Sequence, residues 1–149
     1  MGQQQLLLVI LVTIIVGIAT VVAINTFGAA ADSANVDAVR QDMLQIAAAA
    51  QGYYMRPTML GGGGRSFDNI DFENFSFAGT VDGDDAFNEN GRYNISSTAD
   101  DHFILIGHPA SLITGSVTAA SVATETMEVR VNADGVVWVR SNPGVVVTP

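Results

Sequence analysis

The sequence predicts an α+β fold, in which a long N-terminal α-helix, apolar in its first half and amphipathic in its second, packs on a small antiparallel β-sheet head. Three observations predict it. Residues 1–31 contain no charged side chain, residues 32–56 repeat apolar positions at steps of three and four, and the chain beyond Gly91 alternates β-branched runs with turn sequences. The domain organisation follows: 1–31 is an apolar half-helix, and 32–149 is a head made of helix 32–55, loop 56–90 and sheet 91–149.

Leu6 to Ile24 holds fourteen Leu, Ile or Val residues, interrupted only by Thr13, Gly17, Ala19, Thr20 and Ala23. About 20 apolar residues suffice to cross the hydrocarbon core of a bilayer. At roughly 0.3 to 0.6 kcal/mol each, these side chains favour insertion by about 4 to 8 kcal/mol. A cleaved secretory signal would carry a basic n-region, and Met1 to Gln5 has no basic residue. A plain single-span anchor for an exported domain is the remaining alternative from hydropathy.

From Asp32 to Arg56 an apolar stripe of Val36, Val39, Met43, Ile46, Ala50 and Tyr53 recurs between Asp37, Arg40, Gln41, Gln45 and Gln51. No Pro precedes Pro57, so one helix is expected from about Gln4 to Tyr54, with Gly17, Asn25 and Gly28 as its weakest points. The stripe is the expected helix-to-head contact.

Pro57 disfavours helix at Arg56, and Gly61 to Gly64 reads as a flexible connector. No strand leads into this run and no Gly-Lys-Ser/Thr follows, which sets it apart from a phosphate-binding loop. Phe67, Ile70, Phe72, Phe75 and Phe77 fit either a loop pinned by aromatics or a short edge strand. Asp82, Asp84 and Asp85 are clustered carboxylates of the type calcium takes, but the stretch lacks the spacing of an EF-hand loop and reads as a solvated acidic loop. Arg92 to Ser97 and His102 to His108 then form a hairpin-like pair. Ser111 to Ala123 reads as a surface loop. Thr126 to Val131 and Val136 to Arg140 bracket Asn132 to Gly135, a strong hairpin sequence because its Asp-Gly ending suits a tight turn. Trp138 could face the helix or the solvent, with core packing favoured. The tail from Pro143 to Pro149 is a candidate edge strand.

Fifteen acidic residues against six Arg and no Lys give a formal charge of −9, which disfavours nucleic acid as a partner. The chain has no Cys, so disulfides, thiolate metal sites and Cys nucleophiles are excluded. His102 and His108 would share one strand face, but without an acidic third ligand beside them a metal site is disfavoured. With no nucleophile elbow, Walker loop, dinucleotide fingerprint or zinc-helix motif, the expectation is a structural protein rather than an enzyme, with no cofactor.

The uncharged run, its unbroken passage into an amphipathic helix, the Gly-rich loop and the antiparallel strands together resemble the type IV pilin and pseudopilin superfamily. The likeness covers the organisation of the whole chain, while motif-level likeness is confined to the N-terminus. There Gly2 and the Gln-rich start Gln3, Gln4, Gln5 look like the region processed by a prepilin peptidase. The resemblance implies a polymerisation core made of Gln5, Leu6, Leu7, Leu8, Val9, Ile10, Leu11, Val12, Ile14, Ile15, Val16, Ile18, Val21, Val22 and Ile24. It also implies an inner-membrane stage before assembly, a homo-oligomeric helical filament outside the cell, and the peptidase and pilus assembly machinery as partners. Adhesion, motility or surface contact are the roles it implies. The usual Glu at the fifth mature position is absent: Gln5 fills the slot counted from Met1, and Leu7 fills it counted from a cut after Gly2. The Gln residues would then form neutral contacts between subunits, or lie polar at a membrane interface. A secretion-system pseudopilin and a single-span anchored binding or sensor domain are the alternatives.

Overall fold

In a computed structural model, which describes residues 2–118, 125–141 and 143, the chain forms one long helix and a six-stranded antiparallel sheet. The protein is α+β. Helix α1 spans Gly2–Met55, so Gly17, Asn25 and Gly28 do not interrupt it, and it ends immediately before the Arg56-Pro57 step. Two compact units divide the chain, Met1–Ala34 and Asn35–Pro149.

Within the second unit the strands follow each other in sequence order: β1 Thr80–Asp82, β2 Asp85–Phe87, β3 Gly91–Thr98, β4 His102–Pro109, β5 Met127–Asn132 and β6 Gly135–Arg140. All neighbours are antiparallel. The period-2 alternation of strands turns Tyr93, Ile95, Phe103, Leu105, Met127, Val129 and Val131 to the side that packs on α1, where all are buried. From the helix, Val39, Met43, Ile46, Ala50 and Tyr53 are buried as the stripe predicts, and Val36 packs partly buried against the same core. Ala47 joins them, one step from Ile46, where only a small side chain lies between helix and sheet.

The hairpin of β5 and β6 closes through Ala133 and Asp134, with Asn132 opposite Gly135. Trp138 lies opposite Val129 and packs on the core, whereas Val137 lies opposite Arg130 on the far face and is exposed.

Two expectations are corrected and one open alternative is decided. The loop expected over 56–90 contains two strands: β1 and β2 form a tight hairpin through Gly83 and Asp84, with Asp82 opposite Asp85. Gly83 takes the left-handed φ of 61° that such a turn needs, and three-residue strands are too short to leave a periodic signature. The Gly-rich run is a structured helix cap instead of a flexible connector. Gly63 N–H donates to Tyr53 O at 2.9 Å, Gly64 N–H to Arg56 O at 3.0 Å and Arg65 N–H to Tyr54 O at 2.9 Å, so the run satisfies carbonyls that the helix end leaves open. A Cβ on Gly62 would sit 2.2 Å from Arg56 O, which is why the run is built of glycine. Of the two readings open for Phe67 to Phe77, the structure has the pinned loop, with a short 3-10 turn at Phe72–Asn74. Phe67, Ile70 and Phe72 pin it to the core, with the Phe67 ring 5.3 Å from that of Phe103. Beyond Pro143 the candidate edge strand at the tail lies outside the described residues, as does 119–123 of the expected surface loop.

Candidate membrane and assembly segment

The first half of α1 has an uncharged sequence and no intramolecular cover. Its most apolar 18 residues have a mean hydropathy of 3.2 and none of that window is buried, so by length and composition this helix can cross a membrane. From Leu6 to Ile24 the Leu, Ile and Val side chains are 47 to 66% exposed. Gln5 lies in the same exposed stretch, so every residue of the expected polymerisation core is available to an outside partner.

The threonine hydroxyls of this segment are internalised. Thr13, Thr20 and Thr26 each donate their hydroxyl to the carbonyl four residues earlier, at Val9, Val16 and Val22, over 2.7 to 2.9 Å. Each hydroxyl then leaves no unpaired donor, which suits lipid or a bundle of apolar helices equally. No Cβ built on Gly17 or Gly28 meets an atom within 4 Å, so these positions leave flat strips open to close approach.

The head's half of α1 is fixed by polar contacts as well as by the stripe. Asp42 Oδ2 accepts from Tyr93 Oη at 2.7 Å, Asn90 Nδ2 at 2.8 Å and Asn88 Nδ2 at 2.9 Å. Asn88 Oδ1 in turn accepts from the backbone N–H groups of Asn90 and Gly91, which sets the turn between β2 and β3. Burial above all, then the hydrogen bond to Asp42 and its negative charge, push the Tyr93 hydroxyl far above its usual range, while Asn88 opposes this. Further along the helix, Asn35 Nδ2 donates to Asn90 O and Gln51 Nε2 to Asn132 O. Arg40 donates to Ser141 O at 2.8 Å and pairs with Asp37.

Asp42 was not distinguishable from the sequence, because it sits beside the stripe like any solvated helix carboxylate. The signal that accompanies it is the Asn88, Asn90 and Tyr93 grouping, whose amides and hydroxyl need an acceptor.

The calcium candidates are not gathered into a ligand set. Asp82 and Asp84 are exposed, while Asp85 Oδ1 accepts from Arg92 Nη2 at 2.7 Å and Asn94 Nδ2 at 2.8 Å. Among the described residues no group of three or more His, Asp or Glu is placed to hold a metal ion. His102 pairs with Asp101 at 2.7 Å, and the His102 contact holds the exposed Asp101 carboxyl below its usual range. His108 is buried, and burial, followed by the charge of Arg92, lowers its affinity for a proton against the opposing pull of Asp85. No protein-family profile, curated protein or solved structure matches this chain.

Proposed function

We propose that this chain is the structural subunit of an extracellular type IV pilus-like filament, held in a membrane by the first half of α1 before assembly and polymerising through the same surface afterwards. The observation that carries the reading is the uncovered apolar segment Leu6 to Ile24, with the hydroxyls of Thr13, Thr20 and, just beyond it, Thr26 internalised. Such a surface is unfavourable in water and is satisfied either by lipid or by copies of itself. The transfer from one to the other requires no change in the side chains that face outward.

The head supports the reading by its construction. Buried apolar contacts and the Asp42 network fasten the second half of α1 to the sheet. A pull on the helix is thereby shared by the whole head. In this reading the protein is not an enzyme, and its partners are identical subunits, the prepilin peptidase and the assembly machinery.

Electron microscopy of material sheared from cells producing the protein tests it. The expected result is long filaments that contain this chain as their main component. Recovery of the protein only in the membrane fraction, with no polymer in the sheared material, would leave a single-span anchored domain in its place.

A further inference from the structure

Asn90-Gly91 is the one place in the chain where Asn precedes Gly, and the fold makes use of both residues. A Cβ on residue 91 would lie 2.3 Å from His108 O and 3.3 Å from Val39 Cγ2, so glycine is what lets β3 begin this close to β4 and α1. Asn90 supplies its amide to Asp42 Oδ2 at 2.8 Å, and its carbonyl accepts from Ala110 N–H at 2.8 Å and from Asn35 Nδ2 at 2.9 Å. The same pair is chemically labile, because glycine puts no side chain between its backbone nitrogen and the preceding amide carbon.

When Gly91 N loses its proton and attacks Asn90 Cγ, a C–N bond closes a five-membered imide, the Cγ–Nδ2 bond breaks, and Nδ2 leaves as ammonia. Water then opens the imide at either carbonyl, leaving aspartate or isoaspartate at position 90. Water is the only co-reactant. The ring closes when the side chain and the backbone of Asn90 rotate into place, and the folded head restrains both. Gly91 N–H donates to Asn88 Oδ1 at 3.1 Å, Asn90 N–H donates to the same oxygen at 2.9 Å, and the departing amide is anchored to Asp42 on the helix. The negative charge of Asp42 also disfavours an anionic nitrogen nearby.

We infer that Asn90 is a site of spontaneous covalent modification that the Asp42 junction holds in check, and that its conversion keeps the junction from closing again. A carboxylate at position 90 would face the oxygen that now accepts the amide, setting two like charges at hydrogen-bond distance. Isoaspartate would in addition route the main chain through the side chain, adding one carbon before Gly91 and displacing the carbonyl that Ala110 and Asn35 hold. Opening of the junction is reversible before conversion and one-way after it. This holds whether or not the chain polymerises, since every group involved belongs to the second unit.

The test uses full-length chains in detergent micelles at mildly alkaline pH, with and without urea, and follows conversion at position 90 by peptide mass spectrometry and an isoaspartate assay. The folded parent should convert about tenfold or more slowly than the chain in urea. Tyr93→Phe, which loosens Asp42 without touching Asn90 or Gly91, should raise the folded rate about fivefold. Val131→Ala lies on β5 opposite Phe103, at the other end of β4 from the Gly91 and Pro109 pair; it weakens the head as a whole and should leave the rate near that of the parent. Asn90→Asp should lower the denaturation midpoint, and Asp42→Asn added to it should recover part of the loss. Equal rates in the folded and unfolded chain, no acceleration by Tyr93→Phe, or equal acceleration by Tyr93→Phe and Val131→Ala would each overturn the guarding role of the junction. A midpoint unchanged in Asn90→Asp would overturn the one-way consequence.

Discussion

Tyr93, fully buried on β3, donates its hydroxyl to Asp42 on α1 at 2.7 Å, and this bond joins the sheet to the helix at the point where two asparagine amides from the β2–β3 turn also converge. One carboxylate oxygen thus satisfies three donors from elements distant in sequence. Removing it leaves a buried hydroxyl whose one other acceptor among the described residues, Asn88 Oδ1, lies 3.5 Å away.

Asp42→Ala should therefore destabilise the head by about 2 kcal/mol, within the range for hydrogen bonds to a charged group, while Tyr93→Phe should cost about 1 kcal/mol. The double variant should cost less than the sum, since both remove the same bond. Chemical denaturation in detergent micelles, followed by circular dichroism, checks this. Full additivity would show that the pair is not coupled.

The raised Tyr93 hydroxyl predicts an alkaline limit. In the unfolded chain the group ionises near pH 10, while in the folded head it keeps its proton well beyond that. Its contribution is complete below pH 10 and is lost as pH rises above it, because the unfolded state then binds fewer protons than the folded one. Stability measured from pH 9 to 11 should fall less steeply in Tyr93→Phe than in the parent chain. An unchanged slope would mean that the hydroxyl titrates as it does in water.

Gly107 on β4 marks the closest approach of helix and sheet. A Cβ there would lie 2.6 Å from Met43 Sδ and 3.1 Å from Val39 Cγ1, both on fully buried side chains. Gly107→Ala should cost about 1 to 3 kcal/mol through overpacking. Combining it with Met43→Ala, which opens space at the same point, should recover part of that loss relative to Met43→Ala alone. Thermal denaturation of the three variants checks the coupling, and strict additivity would refute it.

In the apolar segment, Val16→Asp or Ile18→Asp places a carboxylate on a surface that is 57 or 62% exposed and otherwise uncharged. Burying it against lipid or other helices costs several kcal/mol. Filaments should disappear, while circular dichroism and the denaturation midpoint of the head stay unchanged. Normal filaments from either variant would show that this segment does not form the polymer core.

The sequence by itself determined the elements whose physics is local or periodic. An uncharged run is apolar wherever it is placed, the stripe at steps of three and four singles out one helix face, and Asn132 to Gly135 specifies a tight turn through its own backbone preferences. The type of surface offered by Leu6 to Ile24 was legible for the same reason. Tertiary structure decided what depends on partners far along the chain. Asp42 became a hub only when β3 brought Tyr93 beneath it, and Asp85 became an ion-pair partner only when β2 paired with β3. The glycines of 61–64 turned from a connector into a helix cap because the carbonyls of Tyr53, Tyr54 and Arg56 needed donors. A hydrogen bond between distant residues has no period for a sequence to display, since its cost is the burial of one unpaired group and its remedy is whichever donor the fold places within 3 Å.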